Sequence, residues 1–246
     1  SFFGMTGMGI GNYVGGELAN MYSMDTLFYI SAGVALLSVL VLVGMKETVA
    51  DKQPFSASLL KIKVVDIYEP TVITPTIVML LVTFSFGVSL TLAPDLSTAL
   101  GIDNKGLFFS YFTATSLVSR IVGGKLSDKF GRRVVLMVAM ILVGAGSIYI
   151  GQAKSPFHFF TGALIFGAGY GLSSPAIFAW ATDLAPEKYR GRGFSTVFMA
   201  LEIGIGMGTL LAGIFYNGDI DNFPYIFGGS GILAFCAFIY LLFRKQ

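Results

Sequence analysis

Gly124-Lys125-Leu126-Ser127-Asp128-Lys129-Phe130-Gly131-Arg132-Arg133-Val134-Val135-Leu136 is a short polar stretch between two apolar runs. Lys125, Lys129, Arg132 and Arg133 surround a single acid, Asp128, and Arg120 stands about one helical turn before the stretch begins. Gly124 and Gly131 allow close backbone approach and a positive φ, so the stretch reads as a tight turn joining two helices. On these residues alone it is equally an ordinary basic loop with two glycines.

Working outward, the flanking runs are long. No Asp, Glu, Lys or Arg occurs in residues 26–45, 70–94, 134–153, 155–182 or 222–243. Residues 1–16 form another such run, 193–218 is broken only by Glu202, and 106–119 extends to about Gly124 if Arg120 snorkels to the interface. A spanning helix needs ~20 apolar residues, which gives eight candidate spans. Across the 246 residues 54% are hydrophobic and 12% charged, with 23 Phe, and mean hydropathy is +0.76. Soluble domains average roughly 25% charged residues; a soluble fold of this size could not bury so much apolar surface. Disordered, collagen-like and disulfide-rich classes fall on the same numbers. Runs this long also contradict the ~10-residue alternating strands of a membrane barrel. The fold class expected is an all-α membrane protein.

Charge placement orients it. Lys46, Lys52, Lys61 and Lys63 follow the second span, and Arg120, Lys125, Lys129, Arg132 and Arg133 mark the end of the fourth. Lys188, Arg190 and Arg192 follow the sixth, and Arg244 and Lys245 the last, leaving only Lys105 and Lys154 for the opposite side. This alternation is the positive-inside pattern: the protein is expected to be multi-pass in the cell (cytoplasmic or inner) membrane with a cytoplasmic C-terminus. The net charge of +2 reflects that bias and makes no case for nucleic acid.

The stretch from Gly124 resembles the loop signature of the major facilitator superfamily, G-x-L-A-D-R/K-x-G-R/K-R/K-x-x-L/I, with Ser127 in place of Ala as its one departure. In that family it lies between helices 2 and 3 and often again between helices 8 and 9. Two spans, the turn Ala185-Pro186-Glu187-Lys188-Tyr189-Arg190-Gly191-Arg192-Gly193, two more spans and a basic tail follow it, which fits the second copy. The resemblance therefore implies helices 5–12 of a twelve-helix fold. Residues 1–45 would end the N-terminal six-helix bundle, 46–69 would be the cytoplasmic linker, and 70–246 would form the C-terminal bundle. Phe55, Leu59, Leu60 and Ile62 to Ile67 suit either a short interfacial helix or a flexible linker. Ser1 is not Met and lacks a polar flank, so the chain is expected to be a piece of a longer protein.

Gly7, Gly11, Gly15 and Gly16 resemble the family's helix-5 antiporter signature, G-x3-G-P-x2-G-G, with Asn12 where the Pro belongs. Glycines four apart also make a plain packing face, and both readings stand. A shift of 197 positions aligns Gly7, Gly9, Gly11 and Gly16 with Gly204, Gly206, Gly208 and Gly213, as parallel six-helix repeats would.

The resemblance implies two bundles rocking about a central cavity, with the signature loop as a cytoplasmic latch. Gly124, Asp128, Gly131, Arg132 and Arg133 would form it, Asp128 pairing with Arg132 and facing the start of helix 5, and Arg120 joining. Within the spans Glu202 stands out, because a carboxylate at bilayer centre costs ~2.5–3.5 kcal/mol. It suits proton coupling or cation recognition, or else a structural hydrogen bond; Tyr111 is a further candidate for substrate contact, and Ser85, Ser89 and Ser116 are weaker ones. His158 and Trp180 suit the interface belts, Cys236 a buried thiol, and Gly167-x-Gly169-x-Gly171 helix packing.

The function expected first is proton-driven efflux of small amphipathic molecules. A proton-coupled symporter for a polar nutrient is the alternative within the fold, and a non-transporting membrane sensor or enzyme is the third reading. With one His, one Cys and few acids inside the spans, neither catalysis nor a metal or cofactor is expected. The partners expected are a small-molecule substrate, protons and the bilayer, with the full-length protein a monomer.

Overall fold

A computed structural model describes residues 2–43 and 67–244. Among them are eight long helices and no strand: α1 (Phe2–Met21), α2 (Met24–Val43), α3 (Ile73–Ala99), α4 (Leu107–Phe130), α5 (Arg132–Gly151), α6 (Pro156–Leu184), α7 (Arg190–Tyr216) and α8 (Phe223–Phe243). The expected linker lies outside the described residues up to position 66, as do Lys46, Lys52, Lys61 and Lys63. Six helices are long and apolar enough to cross a membrane. The two that fall short, α1 and α4, are diluted by glycines and by Asn12, Glu17 and Asn20 in one, and by Ser, Thr and Arg120 in the other. The eight expected spans are thus eight helices of unequal hydropathy.

Helices α3 to α8 make one bundle. α6 packs between α4 and α5, α5 continues onto α8, and α3 packs against α7 and α8. Glycines set the closest crossings. An added Cβ on Gly167 or Gly171 would strike the Phe112 or Ser116 carbonyl of α4, and one on Gly169 would strike α5 at Val143 and Ala139. Small residues let membrane helices approach where no hydrophobic drive separates protein from lipid. Into the resulting core α3 sends Phe86, α4 sends Phe112, and α6 sends Phe166 and Tyr170. Ring centroids lie 4.8 Å apart for Phe86–Tyr170, 5.5 Å for Phe86–Phe112 and 5.8 Å for Phe112–Phe166. Ser147 and Ser230 exchange a 2.6 Å hydrogen bond between α5 and α8, and Ser85 on α3 donates to the Ser230 carbonyl at 3.0 Å.

Three expectations change. The signature is not a loop: α4 continues helical to Phe130 and α5 starts at Arg132, so the turn is Gly131 alone, at φ 87 and ψ 150. Gly124 is helical with open space beside it, and the close contact belongs to its neighbour Gly123, against Leu172. Cys236 is exposed on α8 rather than buried, because the buried stripe of that helix runs through Ser230, Ala234, Ala237 and Leu241.

α1 and α2 stand apart from this bundle. α2 has no buried residue, and the one extensive contact of α1 with the bundle is with α4.

Candidate functional site

At the basic end of α4 the signature side chains converge on Arg132. Its Nη1 donates to an Asp128 carboxylate oxygen and to Ser127 Oγ at 3.0 Å, while its Nε donates to Asp183 Oδ2 at 3.1 Å. The glycine turn produces this: with Gly131 at positive φ, α5 reverses at once and its first residue falls back over the last turn of α4. Ser127, the departure from the signature, is thereby a working acceptor. Arg133 points the other way and caps α8, donating to the carbonyls of Leu241 at 2.6 Å and Leu242 at 2.8 Å. That satisfies orphan C-terminal carbonyls and complements the helix dipole. Beside the cluster is a cavity of about 370 Å³ lined by Ser127, Asp128, Gly131, Arg132, Trp180, Asp183 and Leu184. Trp180, expected in an interface belt, is 7% exposed and forms the wall of this cavity instead.

Asp183 was not among the expected site residues. Its signal was present, since the charge-free run of α6 stops there. What the sequence did not carry was the antiparallel pairing that brings the end of α6 beside the start of α5.

Arg120 does not join this cluster. It lies eight residues from Asp128 on the same helix, about 12 Å of rise, and makes no ion pair among the described residues. Its Nε is buried with no hydrogen-bond partner among the described residues. It lies one turn beyond Ser116, whose backbone is packed against Gly171 of α6, the neighbour of Tyr170. Arg120, Tyr170 and Glu202 make a set of polar side chains that each stand near the middle of a helix, α4, α6 and α7. Glu202 is exposed and Tyr170 buried. Ser116, one turn from Arg120, has a buried hydroxyl with no partner among the described residues. Tyr111 is not part of this group. It stacks on Phe160 with centroids 4.6 Å apart, nine residues or about 14 Å of rise from Arg120. His158 packs on the Tyr149 ring at 3.9 Å.

The glycine signature of α1 divides. Cβ atoms on Gly7 and Gly11 would meet nothing among the described residues, and one on Gly15 would only graze Leu27. Gly16 is in contact, against Asn104, and Gly9, outside the signature, presses on Thr113 of α4. Asn12, in the place of the signature Pro, turns back on its own helix and donates to the Met8 carbonyl at 2.8 Å. The repeat partners of Gly7 and Gly11, Gly204 and Gly208, pack tightly on Leu80, Thr83 and Phe84 of α3. The repeated glycines therefore carry two faces, and the two helices use different ones.

Apolar helices of spanning length, packed through glycines and with the signature at one end, define a multi-pass membrane protein. A model of the Major Facilitator Superfamily matches residues 75–246, and the chain belongs to that superfamily. It is similar to the proton myo-inositol cotransporter of Homo sapiens, 27% identical over 140 residues, 57% of this chain and 22% of that protein. It is similar also to the facilitated glucose transporter member 2 of solute carrier family 2 from Gallus gallus, at 30% over 139 residues, 55% and 26% of the two chains. Sugar transport protein 1 of Arabidopsis thaliana matches at 30% over 106 residues, 43% and 20%. The chain thus spans between 20% and 26% of the length of these curated relatives.

Proposed function

We propose that these helices belong to a secondary transporter that carries a small polar solute by alternating access, coupled to protons. The observation that carries this reading is the placement of a cation, Arg120, and an acid, Glu202, each near the middle of its helix. Charged groups in the middle of a membrane are costly and almost always face a partner or a water-filled path, and a polar solute bearing hydroxyl groups satisfies both signs of charge. The relatives named for myo-inositol, sugar and glucose support a nutrient-like solute. Efflux of small amphipathic molecules is the second reading. The aromatic interior around Phe86, Phe112 and Phe166 favours it, while Asn12 in place of the signature Pro counts against it.

In this reading the basic end of α4 faces the cytoplasm, as the positive-inside bias requires, and so does the C-terminus. Helices α1 and α2 belong to one six-helix bundle and α3 to α8 to the other, with the substrate path between them near the midplane. The Arg132 cluster is the cytoplasmic latch, biasing states that differ by a few kcal/mol. Glu202 is the proton-coupling group.

The test is solute uptake and efflux by the full-length polypeptide in proteoliposomes under an imposed pH gradient. Uphill movement of a polyol or sugar with the proton gradient supports the first reading, and proton-driven extrusion of an amphipathic dye supports the second. Transport that keeps its full pH dependence in Glu202→Gln removes that residue from the coupling role.

A further inference from the structure

At the end of α4 opposite Arg132, a single amide side chain is used in two directions. Asn104 lies in the turn between α3 and α4 and is 5% exposed. Its Oδ1 accepts from the Gly106 backbone N–H at 2.9 Å, which starts α4. Its Nδ2 crosses to α1, donating to Glu17 Oε1 at 2.7 Å and to the Tyr13 carbonyl at 3.4 Å. Next to it Asn20 of α1 donates to the Asp103 carbonyl at 3.2 Å. The seam below is cut to the backbone: a Cβ on Gly16 would strike Asn104, one on Gly106 would strike the Asn12 carbonyl, and one on Gly9 would strike Thr113. Gly9, Asn12, Gly16 and Asn20 recur at three- and four-residue spacing, so they form one face of α1.

We infer that Asn104 and Glu17 form a latch that holds the end of the molecule opposite the Arg132 cluster closed. Only a side chain with an acceptor and a donor on one planar group can hold the α4 start with one atom and the α1 carboxylate with the other. The bond to Glu17 is charge-assisted and so stronger than a neutral one. Among the described residues it joins two groups of helices whose one extensive contact is this seam, so α1 cannot swing from α4 at that end without breaking it. The inference rests on the alternating-access reading, in which each end closes in turn.

Asn104→Asp separates the latch from the turn. Aspartate keeps the Oδ acceptor that starts α4 but presents a carboxylate to Glu17, turning attraction into repulsion. Adding Glu17→Gln rebuilds the bond with its donor on the other side. Spin labels on cysteines introduced at Met24 and Lys105, in a Cys236→Ser background, report the separation in the full-length polypeptide in lipid nanodiscs without solute. With Asn104→Asp the population at long separation should rise about tenfold or more, the scale set by losing a hydrogen bond to a charged group. Glu17→Gln should return it to the parental distribution, and Glu17→Ala, which leaves the α4 start untouched, should raise it to a smaller extent. An Asn104→Asp distribution identical to the parent, or a shift that Glu17→Gln leaves in place, overturns the latch. Because no solute is present, the distances answer independently of proteoliposome uptake, whose failure would count against the transport reading instead.

Discussion

Arg132, the first residue of α5, donates from Nε to Asp183, the penultimate residue of α6, at 3.1 Å across 51 residues of sequence. The same guanidinium holds Asp128 on the last turn of α4, so one side chain ties three helix ends. Its side chain is 24% exposed, against 70% for Asp128 and 55% for Asp183. Pairs this open to solvent contribute only ~0–1 kcal/mol each. They add little to folding but are enough to weight two conformations of nearly equal energy.

Asp128→Asn is therefore expected to leave expression near normal and to lower transport about two- to fivefold, the scale of an exposed ion pair lost from one of two states. Asp183→Asn should act in the same direction. The double variant should lose less than the product of the two, because both acids share one cation. Proteoliposome uptake set beside expression level measures this. Normal transport by Asp128→Asn would remove the latch role.

Gly131 and Gly124 are both part of the signature, yet only Gly131 occupies a backbone region closed to other residues. Gly131→Ala is expected to cost about 1–3 kcal/mol. Gly124→Ala, in open space within a helix, is expected to be neutral or to stabilise by ~0.5–1 kcal/mol. Thermal unfolding in detergent compares them; equal melting temperatures would refute the assignment of the turn to Gly131.

Gly204 and Gly206 are two residues apart on α7 and face different surroundings. Ala at 204 would collide with Thr83 and the Leu80 carbonyl, whereas Ala at 206 meets nothing within reach. The first is expected to destabilise by ~1–3 kcal/mol through overpacking and the second to change stability little. The same unfolding measurement checks this, and a more damaging change at 206 would contradict the packing of α7 on α3.

Arg133 and Arg132 are adjacent and of one kind, so a charge count treats them alike. Their roles separate only when α5 turns back at Gly131, which sends one side chain to the acids of α4 and α6 and the other to the carbonyl end of α8. Arg120 was grouped with them for the same reason. Helical rise carries it about two turns away from Asp128. Gly7 and Gly11 match their repeat partners in sequence but not in contacts, because spacing fixes which residues share a face and not which neighbour covers it. Asn104 and Glu17 gave no signal at all, being single polar residues in a turn and at a helix end.

By itself the sequence determined the solvent, the number of long helices, the family and the bias of basic residues to one end. Those are properties of local composition, and lipid demands that each span satisfy its own backbone hydrogen bonds, so a span can be read without its neighbours. Only the tertiary structure decided which charge meets which. Asp183 with Arg132 and Glu17 with Asn104 are pairings between segments far apart in sequence, and their register is set by glycines and aromatic packing spread over the whole bundle.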